Sequence, residues 1–413
     1  MSEPARRYRA RLSFPPVGPP LDGGWVEVRG PNLTAYGRGP ITGAIDLGDV
    51  AILPGFVNAH AHLDLCDSPG LIWPGMSLEE WLPAVVAARR NAPPPSVDRM
   101  ASVCREMIDC GTTLLGDIAT AVEALVARRK AGLPGVTFFE VVGLRETRWA
   151  PLWEMANEEI LRAEADGEAD VAASLHAPYS TARTLFEQTG TRLVAVHWLE
   201  SAHERRLLAE GQGPLRDFLL GLGAADPELL AQNFAAENKA PAWFLDRGRW
   251  LLVHANFPGR EEIEKLAAAT KSGAVAGVVH CPRTHAAFGH PRHPATEFAA
   301  AGVTLALGTD SLASNPDMDV FGEAKFLAAC RADLDPETLL AALTTGGAKA
   351  LGRAREWDWD REGAEANFTL VEVPAGAPAA SYESLFAPAS RAAGTMIRGR
   401  WRSGPVESGA SAP

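Results

Sequence analysis

Cysteine is scarce in this sequence, and its spacing is irregular. The 413 residues contain five cysteines, and no two of them form a CxxC pair. An odd number of scattered cysteines in a long chain argues against a disulfide framework, because such frameworks use paired cysteines in small secreted domains. Free thiols are typical of a reducing compartment, so we expect a cytoplasmic protein.

Long apolar runs and a surplus of positive charge are also missing. No apolar stretch approaches the ~18 residues that a membrane span requires, and the segment MSEPARRYRARLSF lacks the apolar core of a secretory signal. Lys and Arg total 39 against 51 Asp and Glu, which gives a net charge of −12. An acidic chain without a basic cluster favours neither nucleic acid nor an anionic membrane as partner. We expect a small-molecule substrate, with a homodimer left open as the assembly.

Several common catalytic motifs are missing as well. The sequence has no GxSxG elbow, no HExxH pair and no HxE…PCxxC set, and no GxGxxG or GxxxxGK[ST] follows an early strand. These absences argue against an α/β-hydrolase, a zincin, a small zinc deaminase and a nucleotide-binding open sheet.

The middle of the chain instead repeats short apolar runs, each followed by a helical stretch rich in Ala, Leu, Glu and Arg. The eight runs are 51–57, 112–118, 136–142, 171–176, 192–197, 250–255, 276–281 and 303–310. Alternating strands and helices favour a parallel sheet, and eight strands close a (β/α)₈ TIM barrel. A doubly wound open sheet is the alternative.

Both ends of the chain have a different pattern. Extended candidates separated by Pro/Gly segments occur at 9–14, 25–29, 33–36, 367–373 and 394–401. We therefore predict an α/β protein in which residues 53–354 form the TIM barrel. Residues 1–52 and 355–413 are predicted to form a small composite β-sandwich domain from both termini.

Potential metal ligands concentrate at the ends of the predicted barrel strands. The residues at these ends are His60, His62, His176, His197, His254, His280 and Asp310, with Glu200 three residues after His197. Six of the ten histidines in the chain fall at such ends. The carboxyl ends of barrel strands carry the chemistry in TIM-barrel enzymes, so this set predicts a catalytic site.

The chemistry of each residue type suggests a role. His60 and His62 leave a strand on the same side and can bind one ion as a pair. His197 is the third candidate ligand, with a buried structural histidine as the alternative. Asp310 is the fourth, unless it only caps the following helix.

The remaining groups suit proton transfer. Glu200 suits a general acid/base beside a metal-bound water, or else is a solvated residue at a helix start. His254 can orient that water or a developing oxyanion, whereas His176 is either a substrate contact or structural. No lysine lies near a strand end to bridge two metals, so one divalent ion is predicted, Zn²⁺ or Fe²⁺.

These residues resemble those of the amidohydrolase superfamily, in the branch that holds cytosine deaminase, the adenosine-analogue deaminases and the triazine chlorohydrolases. The matching segments are LPGFVNAHAHLDL, SLHAPYS, HWLES, LVHANF, VVHCPRTH and LGTDSLASNPDMDVFGE, in the order typical of the family. The resemblance implies that His60, His62, His197 and Asp310 bind the metal. It also implies that Glu200 is the proton shuttle, that His254 orients the water and that His176 contacts substrate.

Departures from the family pattern suggest substrate contacts. The segment CPRTH, where many relatives have CPxSN, places Arg283 and His285 near the expected pocket, and GHPRHP adds His290 and His293. Arg145 and Arg148 follow the third predicted barrel strand, 136–142. There they can bind a carboxylate or ribose hydroxyls, or else form surface ion pairs. Trp73 and Trp81 can stack on a flat ring or serve as core anchors.

The resemblance implies hydrolytic deamination of an aminopurine nucleoside-like or other amino-heterocyclic compound. The ion would activate a water, and Glu200 would protonate the ring nitrogen before ammonia leaves. Two alternatives stay open. One is another hydrolysis at the same site, such as dechlorination or cleavage of a cyclic amide, and the other is a non-catalytic barrel scaffold.

Overall fold

The computed structural model describes residues 4–91, 95–234, 241–374 and 381–404. The strands, in chain order, are β1 Arg6–Arg9, β2 Leu12–Ser13, β3 Leu21–Asp22, β4 Gly24–Arg29, β5 Asn32–Arg38, β6 Ala44–Asp46, β7 Val50–Pro54, β8 Phe56–Ala61, β9 Thr112–Ala119, β10 Gly135–Val141, β11 Val171–Leu175, β12 Leu193–Trp198, β13 Arg249–His254, β14 Val275–His280, β15 Leu305–Leu307, β16 Phe368–Glu372, β17 Arg391–Ile397 and β18 Arg400–Ser403.

Along the chain, most of the helices lie between successive barrel strands. They are α1 Leu78–Asn91, α2 Val97–Asp109, α3 Val122–Ala131, α4 Glu146–Ala165, α5 Arg183–Phe186, α6 Ala202–Glu210, α7 Pro214–Gly221, α8 Pro227–Asn233, α9 Arg260–Ser272, α10 Pro282–Ala287, α11 Ala295–Ala300, α12 Val320–Cys330, α13 Pro336–Leu343, α14 Thr345–Ala350 and α15 Tyr382–Leu385, with a 3₁₀ turn at Leu63–Leu65.

The strands β8 to β15 form the predicted parallel barrel. Each pairs with the next in chain order, so the sheet runs from β8 to β15 without a switch in order. The backbone N–H groups of Thr309 and Asp310 both donate to the carbonyl of His60, which joins the two edge strands. Closure of the barrel therefore brings Asp310 directly beside His60, the first candidate metal ligand.

The first predicted barrel strand, 51–57, is wrong in its boundaries. Residues Val50–Pro54 belong to β7 in a separate sheet, and the barrel strand β8 begins only at Phe56. Gly55 lies between them, where a Cβ atom would come within 2.0 Å of the Thr113 hydroxyl oxygen. A continuous apolar run does not reveal this change of sheet, because both strands are fully buried.

The terminal strands form two further sheets. One has the order β5-β4-β1-β6, and the other has the order β18-β17-β16-β7-β2-β3, so segments from both ends of the chain share a sheet. A common core lies between them, in which Tyr8 and Val26 from the first sheet pack with Ile52, Phe368 and Met396 from the second. This is the predicted β-sandwich, whereas the boundaries at residues 52 and 355 stay a prediction, and residues 405–413 lie outside the described chain.

None of the helices in the described ranges is long and apolar enough to cross a membrane.

Candidate active site

The candidate metal ligands converge at the carboxyl ends of the barrel strands. The ring centroids of His60 and His62 are 4.9 Å apart, and those of His60 and His197 are 5.1 Å apart. The Oδ1 atom of Asp310 lies 3.7 Å from the Nε2 atoms of both His60 and His62. His62, His197 and Asp310 therefore all lie close to His60.

Donor atoms within 4.8 Å of one another form three overlapping groups. His60, His62 and Asp310 form one, and His60, His197 and His254 form another. Glu140, His176 and His197 form the third. The first two groups share His60, so its imidazole lies at the centre of the site.

The tautomer of His197 follows from its hydrogen bond. Its Nδ1 atom lies 2.8 Å from the backbone carbonyl oxygen of His176. A carbonyl oxygen only accepts, so Nδ1 carries the hydrogen and Nε2 has the free lone pair. A metal-binding histidine is commonly oriented by such a bond from its other ring nitrogen.

The buried histidines of the site also fit a bound cation. Both ring nitrogens of His60 and the Nδ1 atom of His62 are buried without a hydrogen-bond partner in the described chain. An unpartnered buried polar atom costs about 1–3 kcal/mol, which coordination of an ion would offset for one nitrogen of each ring. Burial lowers the pKa of His62 well below its usual range and that of His197 to about 3, so these two rings are neutral.

Glu200 and His254 face each other beside the ligands. Their Oε1 and Nε2 atoms are 3.5 Å apart, and both side chains are buried. Burial, with Asp310 and Glu204 nearby, raises the pKa of Glu200 well above its usual range. Burial and His197 lower the pKa of His254. The pair therefore favours a protonated carboxyl and a neutral imidazole.

The backbone at these residues is held in an unusual conformation. Leu199, His254, Ala255 and Asp310 have φ angles of 51°, 72°, 49° and 62°. Such left-handed angles cost non-glycine residues of order 1–3 kcal/mol and persist where the surrounding structure imposes them. Here they coincide with the residues that turn the chain out of β12, β13 and β15 into the site.

Hydrogen bonds to its backbone hold Glu200 in place. Its N–H group donates to Glu204 Oε2 at 2.8 Å, and its carbonyl accepts from Asn256 Nδ2 at 2.9 Å. The Asn256 Oδ1 atom is in turn 3.0 Å from His285 Nδ1. Burial raises the pKa of Glu204 to about 8.

A cavity of about 670 Å³ opens onto these groups. Its floor includes His62, His197, Glu200, His254 and Asp310, and its wall includes His176, Trp81, Arg145 and Arg148. Ligand sites commonly have this size and combine apolar walls with a few polar groups.

The other predicted substrate contacts are not brought to this cavity. Trp73 lies outside its described lining, with 58% of its surface exposed. Arg283 is held by Asp317 and Glu323, with its Nε atom 2.7 Å from Glu323 Oε1. The Nε2 atom of His285 is 2.8 Å from the carbonyl oxygen of Pro291.

The structure therefore does not bring Trp73, Arg283 and His285 to the lining of this cavity, and their contact with substrate stays a prediction. Arg283 and His285, both in α10, are instead held by bonds to protein groups: Arg283 to Glu323 of α12, and His285 to the carbonyl of Pro291.

Arg145 lies at the cavity and also forms an ion pair, so its contact with substrate stays a prediction. It lines the cavity, and its guanidinium also pairs with Asp226 at 2.8 Å, with 45% of the side chain exposed.

Sequence reasoning missed several residues of the cavity. Arg89 on α1 reaches it while pairing with Asp64 at 3.2 Å, and Glu140 in β10 reaches it with an unpartnered buried Oε1 atom. Phe218 and Leu222, in and after α7, form part of the apolar wall. The only available signal was for Glu140, because a carboxylate in an otherwise apolar strand is unusual.

Comparisons with known proteins agree with this architecture. A 30% identical aminodeoxyfutalosine deaminase of Deinococcus radiodurans aligns over 73% of each chain. A 26% identical 5-methylthioadenosine/S-adenosylhomocysteine deaminase of Syntrophobacter fumaroxidans aligns over 83% of this chain and 78% of its own. The solved adenosine deaminase of Xanthomonas campestris with bound zinc has the same fold, with a TM-score of 0.75 at 22% identity over 98% of this chain and 94% of that one. The amidohydrolase family model matches residues 51–402, and this chain belongs to the amidohydrolase family.

Proposed function

We propose that this protein removes an amino group hydrolytically from an adenosine-like nucleoside. The observation that carries the proposal is that Glu200 and His254 face each other 3.5 Å apart on the floor of one cavity, beside His62, His197 and Asp310, with His60 buried beneath them. The names of the deaminase relatives support the same reaction class.

His60, His62, His197 and Asp310 would hold the ion, which would supply an activated water near neutral pH. One ion is the better count, because Nδ1 of His197 already donates to a carbonyl and only Nε2 remains for coordination. The group of Glu140, His176 and His197 therefore has no separate nitrogen of His197 for a second ion. Three imidazoles and one carboxylate suit Zn²⁺, with Fe²⁺ as the alternative.

The proton steps follow from the environments of the two opposed side chains. Glu200, protonated because its pKa is raised, can donate its proton to a ring nitrogen as water attacks the carbon that bears the amine. His254, neutral because its pKa is lowered, can accept a hydrogen bond from the water and orient it. The resulting Glu200 carboxylate can then take a proton from the attacking water and deliver it to the departing ammonia, and the remaining hydroxyl proton returns to Glu200 as the product carbonyl forms.

The cavity wall suggests the kind of nucleoside. Leu82, Val85, Phe218 and Leu222 present an apolar surface, whereas Arg145 and Arg148 line the part of the cavity that follows β10. Apolar walls with nearby guanidinium groups suit a substituent that joins an apolar part to a carboxylate. We therefore place aminodeoxyfutalosine and S-adenosylhomocysteine ahead of adenosine itself as substrates.

A panel assay tests the proposal. Purified protein loaded with Zn²⁺ or Fe²⁺ is incubated with aminodeoxyfutalosine, S-adenosylhomocysteine, 5-methylthioadenosine, adenosine, cytosine and a chlorotriazine, and ammonia and chloride are measured. Ammonia from an adenine nucleoside is the expected result. Chloride alone would replace deamination by dechlorination, and no turnover together with no bound metal would favour a scaffold.

A further inference from the structure

A second cavity, far from the metal ligands in the fold, is lined by arginines. It has a volume of about 810 Å³ and lies where β10 and β11 begin, whereas the candidate active site lies where the barrel strands end. Its lining includes seven arginines, which are Arg6, Arg128, Arg129, Arg353, Arg398, Arg400 and Arg402. We call this site the arginine cavity.

The charge of the arginine cavity is opposite to that of the protein. Its lining has seven arginines against two acids, Glu168 and Asp170, and Glu356 and Glu365 beside it pair with Arg353 and Arg398, which leaves an excess of 7 − 4 = +3. The whole chain has a net charge of −12. Like charges held together in one cavity repel one another, so this concentration is unfavourable unless an anion is present to offset it.

The arginines of the inner part of the cavity are held by hydrogen bonds and ion pairs. Arg128 is buried and donates to Thr137 Oγ1, to the Leu133 carbonyl and to Asp170. Arg129 pairs with the same carboxylate at 2.7 Å, so Asp170 is shared between two guanidinium groups. One carboxylate cannot neutralise both, and a net positive charge remains at this point.

The outer part presents guanidinium groups with unused donors. Successive residues of a strand point to opposite faces, so Arg400 and Arg402 of β18 share the exposed face while Trp401 packs on Tyr8 at 5.6 Å. Arg353 pairs with Glu356 through one terminal nitrogen, and its buried Nε atom has no partner in the described chain. Arginine has five N–H donors, so single ion pairs leave several for a ligand.

We propose that the arginine cavity binds a small, multiply charged phosphate compound through its phosphate groups. Guanidinium groups bind phosphate oxygens in bidentate fashion, and several phosphates match several arginines. The concave site and the acidic remainder of the protein disfavour a long polyanion such as RNA, which would extend over repulsive surface. The described lining has no aromatic residue, so a base would not be recognised by stacking.

The proposal is tested by calorimetric titration of the metal-loaded protein with three probes. These are magnesium tripolyphosphate, MgGTP and guanosine, with the protein's metal content measured before and after because polyphosphates also chelate metals. Tripolyphosphate and GTP are expected to bind with similar Kd values, and guanosine is expected not to bind. Binding should weaken as salt increases, because exposed charges are screened.

Variants locate the binding. The double variant Arg400→Ala/Arg402→Ala is expected to weaken tripolyphosphate binding by at least about tenfold, since each lost charged hydrogen bond contributes about that factor. The control is Arg206→Ala/Arg260→Ala, which removes the same charge from exposed helical ion pairs and is expected to leave the Kd unchanged. Circular dichroism and the Tm without ligand establish that both variants fold.

Three results would overturn the proposal. They are an absence of binding by the parent protein, equal weakening by both double variants, and tighter binding of RNA in proportion to its length. None of them bears on deamination, so the proposal stands or fails independently of the proposed function.

Discussion

Glu200 is distinguished from an ordinary glutamate by burial beside other carboxylates, which raises its pKa. Glu200→Gln keeps the size of the side chain and removes its exchangeable carboxyl proton. We expect kcat to fall by about 10²–10⁴-fold, the usual contribution of a general acid/base, while metal content stays at the parent level. Ammonia release and metal analysis measure the two quantities.

The matched control for this variant is Glu264→Gln, which changes an exposed glutamate of α9 that forms an ion pair with Arg260. It is expected to retain full activity. A Glu200→Gln protein that turns over at the parent rate would show that another group moves the proton, and loss of metal would show that Glu200 supports the ion.

The two tryptophans that were predicted to stack on substrate, Trp73 and Trp81, differ in their position relative to the cavity. Trp81 lines the cavity and donates from Nε1 to the Ala313 carbonyl at 3.2 Å, whereas Trp73 is exposed. Trp81→Phe keeps an aromatic ring and removes this hydrogen bond, which contributes about 1 kcal/mol. We expect KM for the preferred nucleoside to rise several-fold in Trp81→Phe and to remain unchanged in Trp73→Phe. Steady-state kinetics with equal effects in both variants would contradict this assignment.

The sequence predicts the candidate ligands far better than the substrate contacts. Strand ends are visible as the end of an apolar run, and parallel strands end at one face, so the sequence alone places His197 and Asp310 at the same face of the barrel. Arg283 depends instead on Asp317 and Glu323, which lie 34 and 40 residues further along the chain. Nothing in CPRTH indicates that these carboxylates, and not a substrate, face its guanidinium.

At the scale of elements, the junction of β7 and β8 depends on Gly55. A Cβ atom at this position would meet Thr113 at 2.0 Å, so Gly55→Ala must displace a buried side chain at the base of the barrel. We expect the free energy of unfolding to fall by about 1–3 kcal/mol, typical of overpacking. Urea unfolding followed by circular dichroism measures it.

Gly221→Ala is the control for that prediction. Gly221 lies at the end of α7 with no atom within 4 Å of the added Cβ, so the same substitution should be neutral or stabilise the protein by up to about 1 kcal/mol. Equal stabilities for the two variants would mean that the β7–β8 junction relaxes freely.

The elements that a periodic pattern defines could be predicted, and those that depend on packing could not. The six strands β9 to β14 match their predicted runs to within a residue, because buried parallel strands are continuous apolar segments in the sequence, whereas β15 covers only Leu305–Leu307 of the predicted 303–310. The division between β7 and β8 was missed for the same reason, since one apolar run crosses two sheets. Helix α7 carries no catalytic motif, so its role in the cavity wall becomes visible only when it packs against α1.

At the scale of the whole molecule, buried carboxyl groups couple stability to pH. The pKa of Glu204 is about 8, well above the ordinary value of 4.5. The folded protein therefore binds this proton more tightly than the unfolded chain does. The resulting stabilisation is complete below about pH 4.5 and is lost as the pH rises towards 8.

Glu204→Gln removes this titration while keeping an oxygen that can accept the N–H of Glu200. Between pH 6 and 8.5, the parent should lose about 2–3 kcal/mol of unfolding free energy more than the variant, because one pKa unit corresponds to about 1.4 kcal/mol. Urea unfolding of the metal-loaded proteins at both pH values measures the difference. Glu264→Gln, at an exposed site, should follow the parent. If Glu204→Gln also follows the parent, Glu204 is ionised throughout this range, and the proton held near the active site resides on Glu200 alone.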